Sequence, residues 1–77
     1  MKEKRKKKLF VGDFRYNREL VTKHAFAFSG RQAKVFMLRQ LAAEHGVPIS
    51  AVMSIFDGSK VNFEIQVDPE WRLKNGM

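Results

Sequence analysis

Residues 39–58, RQLAAEHGVPISAVMSIFDG, read as the end of one helix, a tight turn and a second, shorter helix. Leu41 and Ala42 are apolar neighbours on the first helix, and Gly46 supplies the left-handed residue that ends it. Val47 plugs the turn. Pro48 stands at the first helical position of the next segment, where a missing N–H is tolerated. Ile49, Val52, Met53 and Phe56 then recur at i, i+3, i+4 and i+7, one stripe of a helix, before Asp57-Gly58 stops it.

Working outward from this stretch, Ser29 is suited to cap a long helix over residues 30–45. Val35, Phe36, Met37 and Leu38 are consecutive and apolar, so this helix is expected to be covered on two sides, with a surplus face for a subunit interface. Arg31, Lys34, Arg39 and Glu44 are its expected exposed charges, the ordinary furniture of a solvated face. Residues 8–14, KLFVGDF, alternate as a strand, and residues 15–18 suit a turn in which Asn17 takes a left-handed conformation. Residues 19–28, ELVTKHAFAF, are β-branched and aromatic. Extended pairing with the first strand is preferred there over a helix for residues 18–25, and places Leu20, Thr22, His24, Phe26 and Phe28 on one face. Downstream, residues 60–67 alternate cleanly, Val61, Phe63, Ile65 and Val67 against Asn62, Glu64 and Gln66. Asp68-Pro69 ends this strand, Trp71 is expected to fold back over a sheet edge, and residues 73–77 to fray. The expected fold is α+β: an N-terminal β-hairpin, a two-helix helix-turn-helix-like unit over residues 30–58, and a C-terminal strand completing an antiparallel sheet. Residues 9–77 form one small domain, preceded by a disordered basic arm over residues 1–8.

Charge placement matters more than its total of +7. Six of the 15 basic groups stand in residues 1–8, beside one acid, while the remaining chain is close to neutral. Such an arm is either a solvated extension or a phosphate-binding one acting through counterion release. At 77 residues the core is marginal for a monomer, which makes a homodimer the expected state. The absence of Cys removes disulfides and points to a cytoplasmic location, and no apolar run is long enough to span a membrane.

Leu41-Ala42, Gly46-Val47, Ala51-Val52, Ile55-Phe56 and Asp57-Gly58 together resemble the helix-turn-helix of lambda-repressor-type and Cro-type phage regulators, over residues 39–58. The resemblance implies a small DNA-binding, transcriptional regulator-like protein of phage or plasmid type, dimeric on double-stranded DNA. Base readers are mostly Arg, Lys, Asn and Gln. Residues 48–57 hold none, which leaves Ser50 and Ser54 to approach the groove. Arg39 and Lys60 would reach phosphates, and Lys4, Arg5, Lys6, Lys7 and Lys8 would add non-specific affinity. A variant with the same partner is ribbon-helix-helix geometry, in which Lys23, Ala25 and Ala27 of an intersubunit strand face the bases.

The alternative of a different class is a protein-binding inhibitor or adaptor of phage-encoded type, with Ile49, Met53 and Ile55 meeting a host protein. An RNA- or ribosome-associated protein is a third reading, resting on the arm and exposed aromatics. An enzyme is not expected. There is no Cys nucleophile or Gly-rich phosphate loop, Ser29-Gly30 lacks the flanking glycines of a nucleophile elbow, and the acids are scattered. His24 and His45 have no metal-pair spacing, so no metal and no cofactor is expected. The exposed face of the short helix separates the leading readings: polar with a basic surround favours DNA, apolar favours a protein partner.

Overall fold

A computed structural model of the chain describes residues 6–75. Strand β1 (Lys8–Tyr16) and strand β2 (Glu19–Ala27) form a hairpin paired from Tyr16↔Glu19 to Lys8↔Ala27. The turn is only Asn17-Arg18, both left-handed with φ of 51° and 66°. Two left-handed residues give the mirror-image turn whose twist matches that of paired strands. It is therefore tighter than the expected turn over residues 15–18, and Arg15 and Tyr16 join the ladder.

Ser29 caps helix α1 (Gly30–His45) by accepting from the Gln32 amide, and Gly46 ends it at φ 63°. Helix α2 (Ile49–Ile55) follows the turn. Pro48 is the residue before α2 and not its first turn: its φ of −65° suits a helix, but its ψ of 147° keeps the backbone extended. Strand β3 (Phe63–Val67) pairs antiparallel with the other side of β1, giving the order β2-β1-β3. It begins later than expected. The ladder closes at the Arg15 amide on the Asn62 carbonyl, 2.9 Å, beyond which β1 turns into the hairpin. Val61 has no ladder to join and is fully exposed.

Residues 68–75 contain a helix absent from the sequence expectation, α3 (Pro69–Lys74). Asp68 caps it, accepting from the amides of Glu70 and Trp71 at 2.8 and 3.3 Å, with Pro69 in the first turn. Trp71 is half-buried on this helix, and the frayed segment expected from residue 73 is instead ordered helix through Lys74.

One sheet face carries the core. Phe10, Phe14 and Ala27 are buried against Ala33, Met37, Leu38, Leu41 and Ala42 of α1, and α2 with its cap adds Val52 and Phe56. Val35 and Phe36 are half-buried, so α1 is covered on two sides as its composition suggests. The sheet register puts Leu20, Thr22, His24 and Phe26 together on the opposite face, which no helix among the described residues packs across in the manner of α1. There Thr22 donates to Asp13 at 2.8 Å, and His24 lies 3.4 Å from Asp68. The same register overturns the ribbon-helix-helix variant. β2 pairs within its own chain, Ala27 is fully buried, and Lys23 is engaged with Glu44 on the helix side. Among the described residues, no helix is long and apolar enough to cross a membrane.

Two substitutions test this packing. A Cβ on Gly12 would meet the Met37 sulfur at 2.6 Å and the Phe14 ring at 2.9 Å. Gly12→Ala should therefore lower unfolding free energy by about 1–3 kcal/mol in a urea titration. Arg18→Gly should raise it by up to about 1 kcal/mol, because glycine holds the left-handed turn without steric cost. An unchanged midpoint in both variants would contradict the turn and the contact.

Candidate nucleic-acid interface

The strand register decides which of the predicted contact residues can act together. Lys8 pairs with Ala27, immediately before the start of α1, so Lys6, Lys7 and Lys8 lie at the end of the sheet where α1 begins. Helix α2 lies at the other end, where the Phe56 ring is 6.4 Å from Tyr16 and the Tyr16 ring 4.7 Å from His45. Between Lys8 and Tyr16 the strand rises about 27 Å. The predicted set therefore divides. Lys6, Lys7 and Lys8 are at one end, Ser50, Ser54 and Lys60 at the other, and Arg39 stands on the outward side of α1. Lys4 and Arg5 fall outside the described residues.

At the α2 end the exposed side chains are Ser50, Ala51, Met53, Ser54 and Ile55, with no cation on the helix. Val52 and Phe56 are buried and Ile49 is half-buried, which turns Met53 and Ile55 outward, each 41% exposed. Met53 thus leaves the apolar stripe expected of this helix. The cause is a seven-residue helix with neighbours on one side only, held by Val52 and its Phe56 cap. The following loop is tied down at both ends. Asn62 donates its side-chain N–H to the Ile55 carbonyl at 2.9 Å, and Asp57 accepts from the Ser59 hydroxyl and amide at 2.7 and 2.9 Å. The Ser59 hydroxyl bond, reinforced by its amide, holds the Asp57 carboxyl below its ordinary pKa of 3.8. Lys60 projects from this loop, exposed.

The opposite end carries Lys6, Lys7, Lys8 and Arg31, while Arg15, Arg18 and Lys60 stand at the hairpin end. Arg31 lies in the first turn of α1, which has no acidic residue, so a positive charge sits at the positive end of the helix dipole. Lys7 rests over the Phe28 ring at 5.6 Å. Arg31, Val35 and Arg39 recur at four-residue spacing along α1, and both arginines are exposed. Among the described residues the contacts between basic and acidic side chains are Lys23 with Glu44 and His24 with Asp68, so Lys6, Lys7, Arg31 and Arg39 have no acidic partner, and neither do Arg15, Arg18 and Lys60. Lys34 is set apart, its ammonium 4.3 Å over the Phe63 ring. In the sequence Arg31 reads as ordinary solvated charge. Its signal, a cation where helices favour acids, was present in the first turn. The described residues contain no group of three or more His, Cys, Asp or Glu placed to hold a metal.

No family model, no curated protein and no solved structure matches this chain.

The Asp57 loop yields a pH test. A depressed folded pKa contributes stability that is present above the unfolded value and is lost as pH falls through the folded one. Ser59→Ala should move the Asp57 carboxyl back toward 3.8 and shift this loss to higher pH. A carboxyl NMR titration reads it, and identical curves for the two proteins would remove Ser59 as the cause.

Proposed function

We propose that this chain is a small double-stranded DNA-binding protein that holds the duplex through its phosphates, at the arm end and the outward side of α1. The observation that carries the reading is the set Lys6, Lys7, Arg31 and Arg39, all cationic and none with an acidic partner among the described residues. Like charge without acidic partners opposes the compact state, and a polyanion relieves it by exchanging its condensed counterions for these groups. Arg31 gains doubly, because a phosphate beside it also complements the start of α1. In this reading α2 contributes little base discrimination, since serine hydroxyls are its polar groups. The resemblance of residues 39–58 to phage regulators would then lie in the shape of the unit and not in how it reads sequence.

A second reading, a protein-binding inhibitor or adaptor, is favoured by the outward Met53 and Ile55 at an end of the molecule where α2 has no charge.

The deciding measurement is binding of the full chain to a random-sequence duplex across a salt series. Each phosphate contact contributes about 0.9 to the slope of log affinity against log salt. Lys6→Ala/Lys7→Ala/Arg31→Ala should reduce that slope by about 2 to 3, whereas Ser50→Ala/Ser54→Ala should leave it unchanged. A chain that ignores the duplex at about 50 mM salt, or a triple variant with an unaltered slope, would sink the proposal and leave the protein-binding reading standing.

A further inference from the structure

The two outer strands of the sheet finish their edges differently. In the hairpin, β2 bonds to β1 through Glu19, Val21, Lys23, Ala25 and Ala27, so the backbone groups of the alternate residues face away from β1. Helix α1 reaches over that edge. Gln40 donates its side-chain N–H to the His24 carbonyl at 3.2 Å, and Gln32 accepts from the Phe28 amide at 2.8 Å. Amide side chains thus occupy hydrogen-bonding positions that a further strand would need.

β3 carries no such covering. The Arg15 amide bonds to Asn62 and the Asp68 amide to Leu9, each 2.9 Å. These two bonds fix the parity: Asn62, Glu64, Gln66 and Asp68 turn their backbone groups toward β1. Phe63, Ile65 and Val67 turn theirs outward, where nothing among the described residues bonds to them. Their side chains are only half-buried, and no proline or lysine interrupts the strand.

We infer that β3 pairs with β3 of a second copy of this chain, antiparallel about Ile65, joining two three-stranded sheets into one continuous sheet. A two-fold axis at Ile65 sets it opposite itself and sets Phe63 opposite Val67 of the other copy, each pair exchanging two backbone bonds. On the sheet face away from α1, Glu64 then stands opposite Gln66, an acceptor facing an amide donor, with no like charges in register. On the face toward α1, Phe63, Ile65 and Val67 of the two copies cover one another. The self-complementary order F-E-I-Q-V is what selects a second copy over an unrelated strand. This places the subunit contact on the sheet edge and not on the surplus face of α1.

Sedimentation equilibrium of the full chain from about 1 µM to about 1 mM is the first test, and a concentration-dependent dimer is expected. Gln66→Glu sets one carboxylate opposite Glu64 at each end of the contact and should weaken the dimer by about threefold to thirtyfold. Glu64→Gln/Gln66→Glu restores the acid–amide pairing and should recover the wild-type constant. Ile65→Pro removes an outward N–H, which an edge strand tolerates, and should give a folded monomer by circular dichroism. A wild-type chain that stays monomeric throughout, or a dimer indifferent to Gln66→Glu and to Ile65→Pro, overturns the inference. A swapped variant no tighter than Gln66→Glu overturns the register.

Discussion

Phe14 is the side chain on which the rest of this fold depends. It is fully buried on the central strand, with the Phe56 ring edge-on at 5.1 Å and the Phe63 ring stacked at 6.0 Å. Each ring comes from a different element: β1, the cap of α2 and the start of β3. Aromatic groups of this size dominate the burial of a small core and prefer these offset and edge-on arrangements. Removing Phe14 would leave the short helix and the last strand without a shared anchor. The placement of α2 and of the first residue of β3 agrees with this cluster, since Phe56 and Phe63 also meet each other edge-on at 6.1 Å.

The surface divides according to that arrangement. Because α2 is drawn to Phe14 and Tyr16, it sits at the hairpin end, and the arm end is left to Lys6, Lys7 and Lys8, the start of α1 and the Asp68 cap of α3. The helix layer presents Arg31 and Arg39 without acidic partners among the described residues, whereas the far face of the sheet carries Asp13, Arg15, Glu64 and the His24–Asp68 contact.

Much of the fold was legible in the sequence because its signals were local. Ser29, Gly46 and the alternation of residues 63–67 each act within one turn or one pleat, and α1 occupies residues 30–45 as its cap and stop dictate. Elements whose limits depend on distant partners were less legible. Arg15 and Tyr16 are strand because Glu19 and Leu20 fold back opposite them, and Val61 is not strand because no neighbour remains there. Helix α3 was missed although Asp68-Pro69-Glu70 is a sound start signal. Its six residues are shorter than any periodicity can register. The contact residues were legible as types but not as a group. Spacing along a chain says nothing of which end of a strand a residue occupies, and β1 separates Lys8 from the Ser50 and Ser54 helix by its full length.

The strand order also sets a sequence of events in time. β1 lies between the strand nearest to it in the chain and the strand furthest from it. Its first partner closes through a two-residue turn, an event on the microsecond scale, but its second must wait for α1 and α2 to bring Phe63 across. Until then Phe14 has only one of its two aromatic neighbours from the sheet and helix layers at most, and the inner edge of β1 remains open. The step with the greatest loop-closure entropy is thus also the step that seals the core, so folding commits late and as a whole.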